Sequence, residues 1–88
     1  ARMPVLLELC LPFIKKGGIF IALKGPELEY ELKDSEHALK ELGGVLVETK
    51  QFSLANGAYT RNLAVIQKVS DTPKKYPRKA GTPQKKPL

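Results

Sequence analysis

The stretch Gly18-Ile19-Phe20-Ile21-Ala22-Leu23-Lys24-Gly25-Pro26 decides the fold class. Ile19 to Leu23 form an unbroken apolar run. Such runs mark strands buried on both faces, as in parallel sheets with helices on either side. Gly25 and Pro26 end the run as turn residues. The expected strand is therefore Gly18–Lys24, with Lys24 at its C-terminal end.

The flanking segments carry a helical period. Upstream, Met3, Leu6, Leu7, Cys10, Leu11 and Ile14 recur at i, i+3, i+4, i+7, which predicts a helix over Met3–Lys15. Pro4 suits its first turn, and Pro12 predicts a kink or an early end. Lys15 and Lys16 suit its C-terminal end, with Gly17 as cap. Downstream, Leu28, Leu32, Leu39 and Leu42 share a stripe over Glu27–Leu42. Asp34 and Ser35 are weak helix formers in the middle of that run, so two shorter helices fit as well as one. Gly43 and Gly44 close the element, one of them left-handed.

Val45–Leu54 and Arg61–Val69 read as two further strands, separated by the turn Ala55-Asn56-Gly57-Ala58, and they can pair as an antiparallel hairpin. The order is helix, strand, helix, strand, strand, with a βαβ-like crossover followed by a strand that turns back. Three strands under a helix layer suffice for a small α/β domain. They serve equally as one edge of a larger doubly wound sheet.

The charge is uneven. The chain has 88 residues and a net charge of +6, from 15 basic and 9 acidic residues. Residues 1–67 hold eight of each sign, so the excess lies in Lys68–Leu88, which holds seven basic residues and one acidic. Residues 1–69 read as the folded body and 70–88 as a basic tail rich in proline and lysine. Its prolines block helix, and its few bulky apolar residues cannot build a core. The tail is expected to be extended or mobile unless something orders it, with a polyanion such as RNA or DNA as its natural partner. Lys74, Lys75, Arg78, Lys79, Lys85 and Lys86 are its candidate phosphate contacts. Tyr76 is a candidate for stacking on a base.

Several chemistries are excluded. A single cysteine, Cys10, allows no intramolecular disulfide and no cysteine-based zinc site, and it suits a reducing compartment. Cys10 lies on the apolar face of the first helix and reads as a structural thiol. His37 reads as solvent-facing, and no metal site is expected. The acidic residues from Glu27 to Glu36 read as helix-dipole complementation. No apolar run reaches a membrane span, and Arg2–Ile14 does not read as a signal peptide. No GxGxxG, Walker, HExxH or GxSxG pattern occurs.

Three body residues are functional candidates. Lys24 sits at a strand C-terminus, where α/β folds place ligands. Arg61 opens the last strand and can meet a phosphate or pair with Glu48. Arg2 opens the first helix, where the dipole disfavours a cation.

The opening Ala1-Arg2, the run LLELCLPFIKKGGIFIALKG (6–25), RNLAVIQK (61–68) and the ending TPKKYPRKAGTPQKKPL (72–88) together carry a likeness over essentially the whole chain. It resembles the C-terminal portion of the bacterial ribosomal RNA small subunit methyltransferase G family, also called glucose-inhibited division protein B. The resemblance implies a class I, Rossmann-like methyltransferase sheet whose last strand runs antiparallel. It implies transfer of a methyl group from S-adenosylmethionine to N7 of a guanine in 16S rRNA. It also implies a cytoplasmic enzyme acting on the small ribosomal subunit. Arg2, Lys24 and Arg61 would touch substrate RNA or shape the pocket. The family's adenosylmethionine loop lies upstream of any residue present here. The chain alone is therefore expected to hold no cofactor, to be inactive without the N-terminal part, and to be prone to self-association. The alternative reading is a non-enzymatic RNA- or ribosome-binding module.

Overall fold

The computed structural model describes residues 2–88; Ala1, part of the opening pair in the resemblance, lies outside the described residues. Helix α1 spans Met3–Cys10 and continues as a 3-10 turn over Leu11–Phe13. Pro12 is the reason for the early end: it has no N–H to donate and its ring clashes with the carbonyl four residues back. Gly17 does not cap this helix. It adopts φ +93° in the turn that leads to the sheet, and its N–H donates to the Lys68 carbonyl at 2.7 Å. The carbonyls of Leu11 and Ile14 instead accept from the buried Lys68 ammonium, at 2.7 and 2.8 Å.

Strand β1 is Ile19–Lys24, and two helices follow, α2 (Leu28–Asp34) and α3 (Glu36–Leu42). The break falls at Ser35, whose hydroxyl donates to the Glu31 carbonyl at 2.5 Å. A serine that bonds its own preceding turn weakens the helix there, which favours the two-helix reading. Gly43 takes the left-handed cap at φ +84°, and Val69 and Ser70 both donate their N–H to its carbonyl. A Cβ at this position would lie 2.3 Å from the Ser70 carbonyl oxygen, so only glycine fits.

Strands β2 (Gly44–Leu54) and β3 (Tyr59–Lys68) form the expected antiparallel hairpin, closed by a turn with Ala55, Asn56 and Gly57 at positive φ. A bulge between Leu46 and Glu48 shifts the register. Strand β3 pairs with β1 along its other edge, so the sheet order is β1-β3-β2 with every neighbouring pair antiparallel. It follows that β1 and β2 run parallel to each other with β3 between them. The crossover through α2 and α3 therefore joins two parallel but non-adjacent strands.

The core lies on one side of the sheet. Met3, Leu7 and Leu11 from α1 and its turn, Leu28, Ala38 and Leu42 from α2 and α3, and Ala22, Ala64 and Ile66 from the strands form a single buried cluster. This corrects the expectation that β1 is buried on both faces. Ala22 faces the helices, but Ile19, Ile21 and Leu23 remain 58%, 56% and 63% exposed. Cross-strand partners share a face, so Val65 beside Ile21 and Leu63 beside Leu23 extend the same apolar surface. The apolar run is real; the second layer that it calls for is not supplied by the described residues.

The tail is a second correction. Residues 70–88 are neither detached nor uniformly extended. Thr72 donates its hydroxyl to the Leu42 carbonyl at 2.6 Å, and Tyr76 and Leu88 pack against the core cluster. A short helix α4, Thr82–Lys85, buries Pro83 and packs against α1. No helix among the described residues is long and apolar enough to cross a membrane.

Candidate functional site

At the C-terminal end of β1 the chain forms an open concavity of about 430 Å3, lined by Arg2, Lys24, Glu27, Tyr30 and Glu31. Its position follows from the fold. Lys24 is the last residue of β1 and points to the helix side of the sheet, in line with Ala22. Arg2 is the N-terminal flank of α1, whose apolar stripe fixes it over the same strand end. Two of the three body candidates are thus brought together.

Glu31 organises this corner. One of its carboxylate oxygens lies 3.2 Å from the Lys24 ammonium and accepts the Met3 N–H at 2.8 Å. The side chains of Lys24 and Glu31 are mostly shielded, so this ion pair is screened less than a surface one. It ties the start of α1, the end of β1 and the middle of α2 into one unit. Arg2 pairs with Asp34, but both side chains are largely exposed. Exposed pairs contribute about 0–1 kcal/mol, so the Arg2 guanidinium can exchange Asp34 for another anion at little cost. Tyr30 and Glu27 stand open on the rim. The corner therefore offers a replaceable guanidinium, a positioned ammonium, an aromatic face and an open carboxylate. Together these groups can meet an anion, a flat ring and a hydrogen-bond donor.

Arg61 is not brought into this corner. Asn62 is the cross-strand partner of Lys24 and donates to the Gly25 carbonyl at 2.7 Å. Its neighbour Arg61 therefore points to the opposite face of the sheet. There it lies opposite Phe52 and over the Tyr59 ring, 5.9 Å from the centroid. It does not pair with Glu48, whose partner is Lys50 at 4.0 Å.

In the tail, Arg78 is committed to a buried carboxylate while its side chain stays part-exposed. Its Nε donates to Glu8 at 2.9 Å and its Nη2 at 2.7 Å, and its own N–H donates to the same carboxylate at 2.8 Å. Glu8 is fully buried in α1. The hydrogen bonds from Arg78 outweigh the burial that opposes them and hold the Glu8 carboxyl below the usual carboxylate range. Tyr76 is not free to stack either: its ring packs on the core and its hydroxyl donates to Glu41 at 3.1 Å. Lys75 lies 3.6 Å from Glu41 and above the Tyr76 ring, with its ammonium still exposed. Lys74, Lys79, Lys85 and Lys86 are exposed and have no ion pair among the described residues. With Lys75 they are five exposed candidate phosphate contacts of the tail. Cys10 is half-buried, and burial pushes its thiol up, which suits a structural residue. His37 is exposed on α3.

Sequence reasoning missed Glu8, Glu31 and Lys68. The one signal for Glu8 was an acidic residue inside an otherwise apolar helix, which calls for a buried partner.

No family model matches the chain. The chain is similar along all 88 residues to curated proteins named ribosomal RNA small subunit methyltransferase G. It is 54% identical to that of Lactobacillus acidophilus, 51% to that of Alkaliphilus metalliredigens and 53% to that of a Staphylococcus aureus strain. In each case the match covers 100% of this chain and 37% of the relative, so the chain spans little more than a third of those proteins.

Proposed function

We propose that the chain, similar along its whole length to proteins of the ribosomal RNA small subunit methyltransferase G family, is the C-terminal part of an S-adenosylmethionine-dependent enzyme. In this reading the complete protein methylates N7 of a guanine in 16S rRNA, in the cytoplasm and on RNA of the small ribosomal subunit. The observation that carries the reading is the match over all 88 residues at about half identity. The sheet supports a Rossmann-like assignment, since two parallel strands flanking an antiparallel one suit the edge of a doubly wound sheet.

The chemistry asks little of these residues. Guanine N7 carries an in-plane lone pair and loses no proton during methylation. The protein has to present the base and hold it in line with the donor. Arg2 can take the phosphate of the target nucleotide in exchange for Asp34. Tyr30 offers a ring to the base, and the Lys24 ammonium, fixed by Glu31, holds the strand end against which the base rests. Glu27 can accept from the N–H edge of a guanine, which lies opposite N7.

The residues present do not fit the cofactor. Among the described residues no glycine-rich turn opens a helix: Gly17 and Gly18 lead into β1, and Gly25 has no helix directly after it. We assign the adenosylmethionine site to polypeptide outside these 88 residues, and to this chain only the positioning of the RNA. On this reading the 88 residues alone give no turnover. In the complete protein, Lys24→Ala is expected to lower methylation of small-subunit RNA at least tenfold with the fold retained. Wild-type turnover in that variant would remove Lys24 from the site.

The docked tail favours a second reading, a non-enzymatic RNA- or ribosome-binding module, because it displays Lys74, Lys79, Lys85 and Lys86 on a fixed support. RNA binding by a complete protein that shows no methyl transfer would select it.

A further inference from the structure

Beside the β1 corner lies a second open cavity, of about 570 Å3, lined by Arg2, Val5, Gln84 and Pro87. One wall is α1 and the other is the tail around α4. Both cavities are within the range of small-ligand sites. They adjoin through a single shared residue, Arg2. The tail wall is held in place: Arg78 bonds both Glu8 and the Lys86 carbonyl, the latter at 2.6 Å, and α4 is anchored by its buried Pro83.

We propose that this second cavity is a subsite for the nucleotide next to the target in the RNA strand, and that Arg2 binds the phosphodiester between the two. The proposal rests on the RNA-methyltransferase reading. Consecutive nucleotides share one phosphate, and these two cavities share one guanidinium. A planar, forked guanidinium suits a bridging phosphate. Pro87, exposed beside the buried Val5, offers apolar surface to a base or ribose. The Gln84 amide, exposed on α4, offers both a donor and an acceptor to a base edge or a 2′-hydroxyl. The tail thus contributes a fixed wall of the substrate path, and the order imposed by Glu8 and Arg78 gives that wall its shape.

The test uses the complete protein with small-subunit RNA as substrate. Gln84→Glu places a carboxylate in the path of the RNA and is expected to raise KM five- to tenfold with kcat unchanged. Gln84→Lys, at the same exposed position, adds a cation on the path of the RNA and is expected to lower KM. Gln51→Glu, an equal charge change on exposed β2, is the control and is expected to move KM less than twofold. Equal effects of Gln84→Glu and Gln51→Glu would overturn the subsite, as would no effect of either. If Lys24→Ala abolishes turnover while the Gln84 variants behave as wild type, the subsite alone is wrong. If Lys24→Ala and both Gln84 variants all retain wild-type kinetics, the proposed function of the corner falls and the subsite falls with it. An effect of Gln84→Glu on assembled ribosomal particles but not on naked RNA would place a ribosomal protein in the cavity and overturn the nucleotide assignment.

Discussion

Glu8→Gln is expected to release residues 72–88 from α1. The carboxylate is fully buried and accepts bonds from both the backbone and the guanidinium of Arg78. A neutral amide keeps the volume but loses the charge and cannot accept on both sides. Removing one partner of a buried pair costs about 3–5 kcal/mol, and the part-exposed guanidinium, which regains water, moves the figure toward the lower end. Hydrogen exchange reads the effect most directly. The Arg78 amide, bonded to Glu8 in the native protein, should exchange at least a hundredfold faster, while Ile66 in the sheet keeps its protection. Unchanged exchange at Arg78 would show that Glu8 does not hold the tail. The pH dependence has a defined sign. The folded pKa of Glu8 lies below its unfolded value, so its contribution is present above the unfolded value and is lost as pH falls through the folded one. Acidification below the ordinary carboxylate range should therefore loosen the tail of the unmodified protein, and Glu8→Gln should remove that dependence.

The second large effect concerns the bare face of the sheet. In these 88 residues Ile21 is 56% exposed, so Ile21→Asp should be nearly neutral there, within about 0.5 kcal/mol, as surface changes generally are. In the complete protein the same substitution should lower stability by several kcal/mol, the cost of burying an unpaired carboxylate, and soluble yield should collapse. The contrast arises because Ile19, Ile21, Leu23, Leu63 and Val65 form one apolar surface beside the edge of β1, which pairs with no second strand among the described residues. Tolerance of Ile21→Asp in the complete protein would mean that nothing covers this face, and would remove the doubly wound reading. The same surface is expected to drive self-association of the 88 residues alone, and the aspartate should suppress it.

The elements themselves were legible. The strand over Ile19–Lys24, the hairpin and a left-handed glycine at 43 or 44 follow from local pattern, because turn chemistry and periodicity act over a few residues; that it is Gly43 does not. The split at Ser35 was half legible: the weak helix formers were visible, but the bond from Ser35 to Glu31 that settles the break was not. The one-sided burial of β1 was not legible, because an apolar run records what a strand is built to contact. It does not record how much of that contact 88 residues supply. The tail misled for a related reason. Composition shows that 70–88 cannot form a core of its own, but not that it can borrow one. Glu8 and Arg78 are separated by 70 positions, and no local pattern pairs them. At the candidate site, Arg2 and Lys24 were singled out separately, and the helix stripe that seats Arg2 above Lys24 brings them together. Arg61 lies outside the corner on parity alone: one residue along a strand is the other face of the sheet.

The internal commitments of Lys68 and Arg78 reach beyond folding. When a protein neutralises single-stranded RNA, each cation that displaces a counterion lowers the slope of log K against log salt by about 0.7. The seven basic residues from Lys68 to Leu88 would give a slope near −5 if all took part. Lys68 is 3% exposed with its ammonium on two carbonyls, and Arg78 is held by Glu8, so neither releases an ion on binding. The segment's share should be near −3.5, and Glu8→Gln should steepen it by about 0.7 as Arg78 is freed. Counterion titration of RNA binding thus counts how many positive charges the fold has already claimed for itself.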